Sequence, residues 1–184
     1  MNRHEFFQTS LISSLMDGVY EDEMTIGELL SHGSFGLGTF NALDGEMVIL
    51  DGHCYQLRGD GMSRPAPFGA RTLYAMVTNF VPSHRLEVHS PMMRAEISKL
   101  IDEVLPSANY MYALRITGFV NWVMTRTVVQ QSKPYRPMVE ATNGEEIVRS
   151  EDVNGVFVGF RTPVYQQGIS VPGCHVHFVT DSRD

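Results

Sequence analysis

The chain has 184 residues, 43% of them hydrophobic, with a formal net charge of −7 and a pI near 5.4. That length and apolar fraction fit a folded domain or two small lobes sharing a core and exclude a disordered chain, while the acidic balance excludes a general nucleic-acid surface and leaves room only for a localised cationic pocket. The longest apolar runs, such as MVIL and VFVGF, fall far short of a membrane span, and MNRHEFFQTS lacks the apolar centre of a secretory signal, so a cytoplasmic protein with no membrane partner is expected.

In FFQTSLISSLMDG the apolar residues Phe7, Leu11, Ile12, Leu15 and Met16 recur at helical spacing before Gly18, which predicts a first helix. A second, short helix is predicted at TIGELLSHG, where Thr25 and Glu28 form a capping-box pattern and Gly33 supplies the stop. FGLGTF, EMVIL and HCYQLR then read as a β-meander, with Asp44-Gly45 and Asp51-Gly52 as its turns. GDGMSRPAPFGAR has the Gly and Pro density of a loop, and TLYAMVTNFV returns to strand composition. HSPMMRAEISKLIDEVLP predicts a helix capped by Ser90, with Pro91 at its first position and Pro106 at its end. Its apolar stripe is Met93, Ile97, Leu100, Ile101 and Val104. YMYALRITG and FVNWVMTRTVV predict two strands around a turn at Gly118, the stretch from Lys133 to Pro137 breaks the pattern, and VNGVFVGFRTP and CHVHFVTD are the last strands. No internal repeat or long linker divides the chain, so the architecture is α+β, dominated by antiparallel or mixed sheet.

Chemistry is concentrated in few places. His175 and His177 flank one residue in a β-favouring run, so both imidazoles can point to one face as metal ligands, although two histidines on an edge strand give the same pattern. A catalytic zinc takes three protein ligands, so the pair is an incomplete site. Glu46 and Arg126 are charged residues inside strand patterns. Both suit a solvent-facing position, and both suit a pocket in which Arg offers a fork of donors to a carboxylate or oxyanion and Glu accepts a proton or hydroxyl hydrogen bond. The glycines of HGSFGLGTF complete no phosphate-binding motif and precede a strand rather than a helix. His32, His53, His84 and His89 have no metal spacing, and Cys54 and Cys174 read as free thiols rather than a disulfide framework.

Taken together, FQTSLISSLMDGVYE, TIGELLSHGSFGLGTFNALDGEMVILDG, YQLRGDG, ALRITG, TRTV, KPYRPMVEA, VGFRTP and VPGCHVHFVTDSRD resemble bacterial α-acetolactate decarboxylases, in the family's order and over almost the whole chain. The resemblance implies mixed, largely antiparallel sheets in two lobes with a few flanking helices, and residues 1–184 as one such domain without the family's C-terminal segment. It implies a zinc-dependent carboxy-lyase that converts 2-acetolactate, a 2-hydroxy-3-oxo acid, to acetoin and carbon dioxide through an enediolate, in acetoin biosynthesis, acting as a homodimer. By this resemblance His175 and His177 are zinc ligands, Glu46 and Arg126 are catalytic, and Thr39 lines the substrate pocket. A third histidine ligand and a second glutamate of the family fall beyond Asp184. A catalytically silent homologue serving as a binding or assembly module is the alternative reading, and a general HxH metallohydrolase leaves the other matching stretches without an explanation.

Overall fold

A computed structural model describes residues 5–141 and 146–183. Six strands form one antiparallel sheet in the order β1-β6-β2-β3-β4-β5: β1 (Phe6–Thr9), β2 (Phe35–Thr39), β3 (Glu46–Leu50), β4 (His53–Leu57), β5 (Ser63–Pro65) and β6 (Tyr74–Thr78). A second antiparallel sheet, β7-β8-β9, is built from β7 (Tyr112–Thr127), β8 (Glu146–Thr162) and β9 (Gly173–Thr180). The helices are α1 (Ile12–Met16), α2 (Ile26–His32), α3 (Arg94–Val104) and α4 (Met138–Ala141). The predicted α+β class with largely antiparallel sheets is the observed one. No helix among the described residues is long and apolar enough to cross a membrane.

The first sheet is covered on both faces. Phe35, Leu37, Val48 and Leu50 pack against Val156, Val158, Phe160 and Val179 of the second sheet, while Met47, Ile49, Ala75 and Val77 pack against Ile26 and Leu29 of α2. This double covering is why EMVIL and YAMVT are continuous apolar runs rather than alternating ones. α2 begins as its sequence predicts: the Thr25 side chain accepts from the Glu28 amide at 3.2 Å, and the Glu28 carboxylate accepts from the Thr25 amide at 2.9 Å.

Four local expectations are corrected. Phe7 to Met16 is not one helix: Phe6–Thr9 pairs with β6 as a strand, and only Ile12–Met16 is helical. Pairing with a neighbouring strand outweighs a helical spacing that only five apolar residues support. The predicted loop from Gly59 to Arg71 contains β5, which pairs with β4. The third helix starts at Arg94 rather than at Pro91, because the Glu96 carboxylate accepts from the Met93 amide at 2.7 Å and marks the first turn there. Gly118 makes no turn, and it lies opposite Gly155 inside the continuous strand β7. β8 supplies the partner for that length because it reaches back to Glu146, through EIVRSED, a stretch too charged to read as strand from composition.

Candidate active site

β3 and β9 meet at their functional ends. Glu46, Val48 and Leu50 share one face of β3, and His175, His177 and Val179 share one face of β9. Val48, Leu50 and Val179 all lie in the core between the sheets. Alternation therefore aims Glu46 from one sheet and the two imidazoles from the other toward the same region. His177 Nδ1 lies 2.9 Å from the Met47 carbonyl oxygen. A carbonyl only accepts, so the proton sits on Nδ1 and the Nε2 lone pair is left available. Glu46 Oε2 is 3.7 Å from that Nε2, and the two side chains are only 21% and 11% exposed.

The His175 and His177 rings are 5.1 Å apart between centroids and nearly perpendicular, at 80°. Burial, followed by the neighbouring His177 and Arg94, pushes the His175 imidazole down to about 3. It is therefore neutral throughout the physiological range, which is the form that binds a metal. Two imidazoles on one strand face, one with a ring nitrogen held by a backbone carbonyl, are a donor set suited to zinc. Among the described residues no three His, Cys, Asp or Glu side chains close a metal site.

Arg126 lies near the end of β7 and is exposed. Its neighbour Thr127 donates from Oγ1 to the Leu57 carbonyl at 3.3 Å, and Leu57 is the residue opposite Glu46 on β4. That bond docks the end of β7 beside the start of β3. Glu46, Arg126, His175 and His177 line one broad cleft, of about 2380 Å³, whose far wall is α3. Thr39 is not in that wall. It lies opposite Glu46 in the β2–β3 ladder, is buried, and donates from Oγ1 to the Gly45 carbonyl at 2.8 Å. Its position is that of a support for the turn that delivers Glu46.

The family model described as alpha-acetolactate decarboxylase matches residues 6–184. The chain belongs to the alpha-acetolactate decarboxylase family. Its members are carboxy-lyases, and this chain is 48% identical over 177 residues to the alpha-acetolactate decarboxylase of Klebsiella aerogenes, covering 96% of this chain and 68% of that one. The Bacillus subtilis alpha-acetolactate decarboxylase is 43% identical over 180 residues, covering 98% and 71% of the two chains. The crystal structure of alpha-acetolactate decarboxylase from Bacillus subtilis strain 168 superposes with a TM-score of 0.95 at 43% identity, over 97% of this chain and 76% of that chain.

Two features of the site had no signal in the sequence. The Met47 carbonyl that orients His177 is a backbone atom with a side chain facing the other way, so residue type reveals nothing of it. Gly159 lies opposite Val176 between the two histidines' neighbours, and a Cβ there would collide with the His175 carbonyl. VFVGF reads as an ordinary strand, and the close approach appears only when β8 and β9 are paired. Cys54 and Cys174 are free thiols, as the sequence predicts, and burial pushes the Cys54 thiol up to about 12.

Proposed function

We propose that the protein decarboxylates 2-acetolactate to acetoin, with zinc held in part by His175 and His177. The observation that carries this reading is the meeting of Glu46, Arg126 and the two imidazoles in one cleft of a chain from this family. Loss of carbon dioxide leaves an electron pair on the carbon that bore the carboxylate, and the adjacent ketone takes it as an enediolate. A proton must then be added at that carbon, so each turnover consumes one proton.

A bound zinc supplies a Lewis acid for negative charge at the ketone and hydroxyl oxygens. Glu46, at the edge of the inter-sheet core, accepts the hydrogen bond of the substrate hydroxyl and fixes which way the molecule enters. The part of Arg126 is to stabilise the developing charge and to orient the proton donor toward one face of the enediolate. Thr39 acts indirectly, by holding the Gly45 carbonyl at the turn before Glu46.

A homodimer is part of the same reading. The outer part of the β7–β8 ribbon exposes Phe119, Trp122, Met124 and Ile147, at 46% exposure or more. A two-stranded ribbon with bare aromatic and aliphatic side chains gains stability when a second copy covers it. The proposed site takes a small 2-hydroxy-3-oxo acid, and cytoplasmic placement remains part of this reading.

The function is tested by following acetoin and carbon dioxide from racemic 2-acetolactate, before and after chelation and with zinc restored. Acetoin formation well above the spontaneous rate, lost on chelation and recovered with zinc, is the expected result. A rate equal to the spontaneous one in the zinc-loaded protein overturns it. Light scattering on the same preparation reads the dimer.

A further inference from the structure

Three residues one helical turn apart, Arg94, Ser98 and Asp102, lie along one side of α3. Two of them face the second sheet. Asp102 Oδ1 accepts from Nε of Arg161 on β8 at 2.7 Å, and Ser98 lies near Cys174, the residue opposite Arg161 on β9. The third, Arg94, falls one turn further on, toward His175, the next residue of β9. Both line the active-site cleft, and the Arg94 charge is felt at His175. The other arginines of the cleft wall are already engaged: Arg58 with Asp44 at 2.6 Å, Arg115 with Asp51 at 2.8 Å, and Arg126 as well. Among the described residues no acidic group pairs with Arg94.

We propose that Arg94 is the specificity residue that recognises the substrate carboxylate. The inference rests on the decarboxylase reading, because that substrate is an anion entering a chain whose formal net charge is −7. An unpaired guanidinium beside the histidine pair supplies the local positive field that the whole molecule lacks, and its planar fork matches a carboxylate. The reaction removes this carboxylate, so its contact with Arg94 does not strengthen on the way to the transition state. Such an interaction lowers KM without raising kcat. Arg94 thereby differs from Arg126, whose proposed partner is charge that appears during the reaction.

The test uses the zinc-loaded full chain, with Arg94→Gln and Arg94→Lys. Arg94→Gln should raise KM for acetolactate by about 10-fold, the scale of a lost charge-assisted hydrogen bond, keep kcat within about 2-fold, and flatten the salt dependence of kcat/KM. Arg94→Lys should keep the salt dependence. Calorimetry with 2,3-dihydroxy-2-methylbutanoate, which lacks the ketone needed for reaction, and with its primary amide gives a readout without turnover. The parent should favour the acid over the amide, and Arg94→Gln should bind the two alike. Unchanged KM with an unchanged preference for the acid, or a fall in kcat at constant KM, overturns the role of Arg94 while leaving the decarboxylase reading intact. A parent protein that neither binds the acid nor forms acetoin overturns both.

Discussion

His177 Nδ1 and the Met47 carbonyl oxygen are joined at 2.9 Å, and this bond couples β9 to β3 across the inter-sheet core. It places the free Nε2 of His177 near Glu46, the residue preceding Met47, and it prevents the imidazole from turning its protonated nitrogen toward the cleft. The packing of Val48 and Leu50 against Val156, Val158 and Val179 holds the two strands at the separation this bond requires.

If His175 and His177 hold zinc, His175→Ala and His177→Ala should each lower metal affinity by at least about 100-fold, beyond the range of a lost supporting contact. The fold should persist, because the core beside them is supplied by apolar residues such as Phe160 and Val179. Metal analysis after dialysis, with circular dichroism on the same samples, checks both halves of the expectation. Near-stoichiometric zinc in either variant would remove that residue from the ligand set.

Glu46→Gln and Arg126→Lys should keep zinc and fold but lower kcat by roughly 100-fold or more, the scale of a removed proton-transfer or charge-stabilising group. Lysine is a poor replacement because an ammonium cannot reproduce the planar fork. Arg126→Lys should also lower the enantiomeric excess of acetoin, since the donor loses its orientation. Turnover and enantiomeric composition measured together distinguish this from solvent-facing strand residues, for which neither would change.

Gly159→Ala should destabilise the protein by about 2 to 3 kcal/mol, lowering Tm by roughly 5 to 10 °C. Its Cβ would meet the His175 carbonyl and lie 2.7 Å from the Val176 Cα, so β9 must move and take both imidazoles with it. Zinc affinity should therefore fall together with Tm. Gly69→Ala, where an added Cβ meets nothing within 4 Å, is the matched control and should change neither. Thermal unfolding and zinc titration read the pair.

The segment after the second sheet's first strand is tied to the chain near α1 by an exposed cluster. Lys133 donates to Glu21 Oε2 at 2.7 Å and Tyr135 to Oε1 at 2.9 Å. The Lys133 hydrogen bond, then that of Tyr135, holds the Glu21 carboxyl below its ordinary 4.5. Its contribution to stability is thus fully present above about 4.5 and is lost as the pH falls through the lower folded-state value. Glu21→Gln should be slightly less stable than the parent at pH 6, and the difference should vanish on acidification. Melting curves from pH 6 to pH 3 check the convergence; a gap that persists at the acid end would place the effect in packing rather than charge.

The sequence by itself determined the elements that depend on neighbours a few residues away. Thr25 and Glu28 encode a helix start that forms as written, Asp44-Gly45 and Asp51-Gly52 separate three strands of a meander, and the spacing of His175 and His177 puts both on one strand face. The extended match to the family also singled out Glu46 and Arg126, which composition alone left open between solvent-facing and pocket positions. Tertiary structure decided whatever rests on distant partners. Phe6–Thr9 became a strand because β6 offered it an edge, and Gly118 stayed extended because β8 runs alongside it. Glu46 and His177 come together only through the docking of His177 on Met47, and the end of β7 reaches β4 only through Thr127 on Leu57, contacts spanning 130 and 70 residues. Hydrogen bonds and packing between separate sheets set those distances, and no local window of the chain contains both partners.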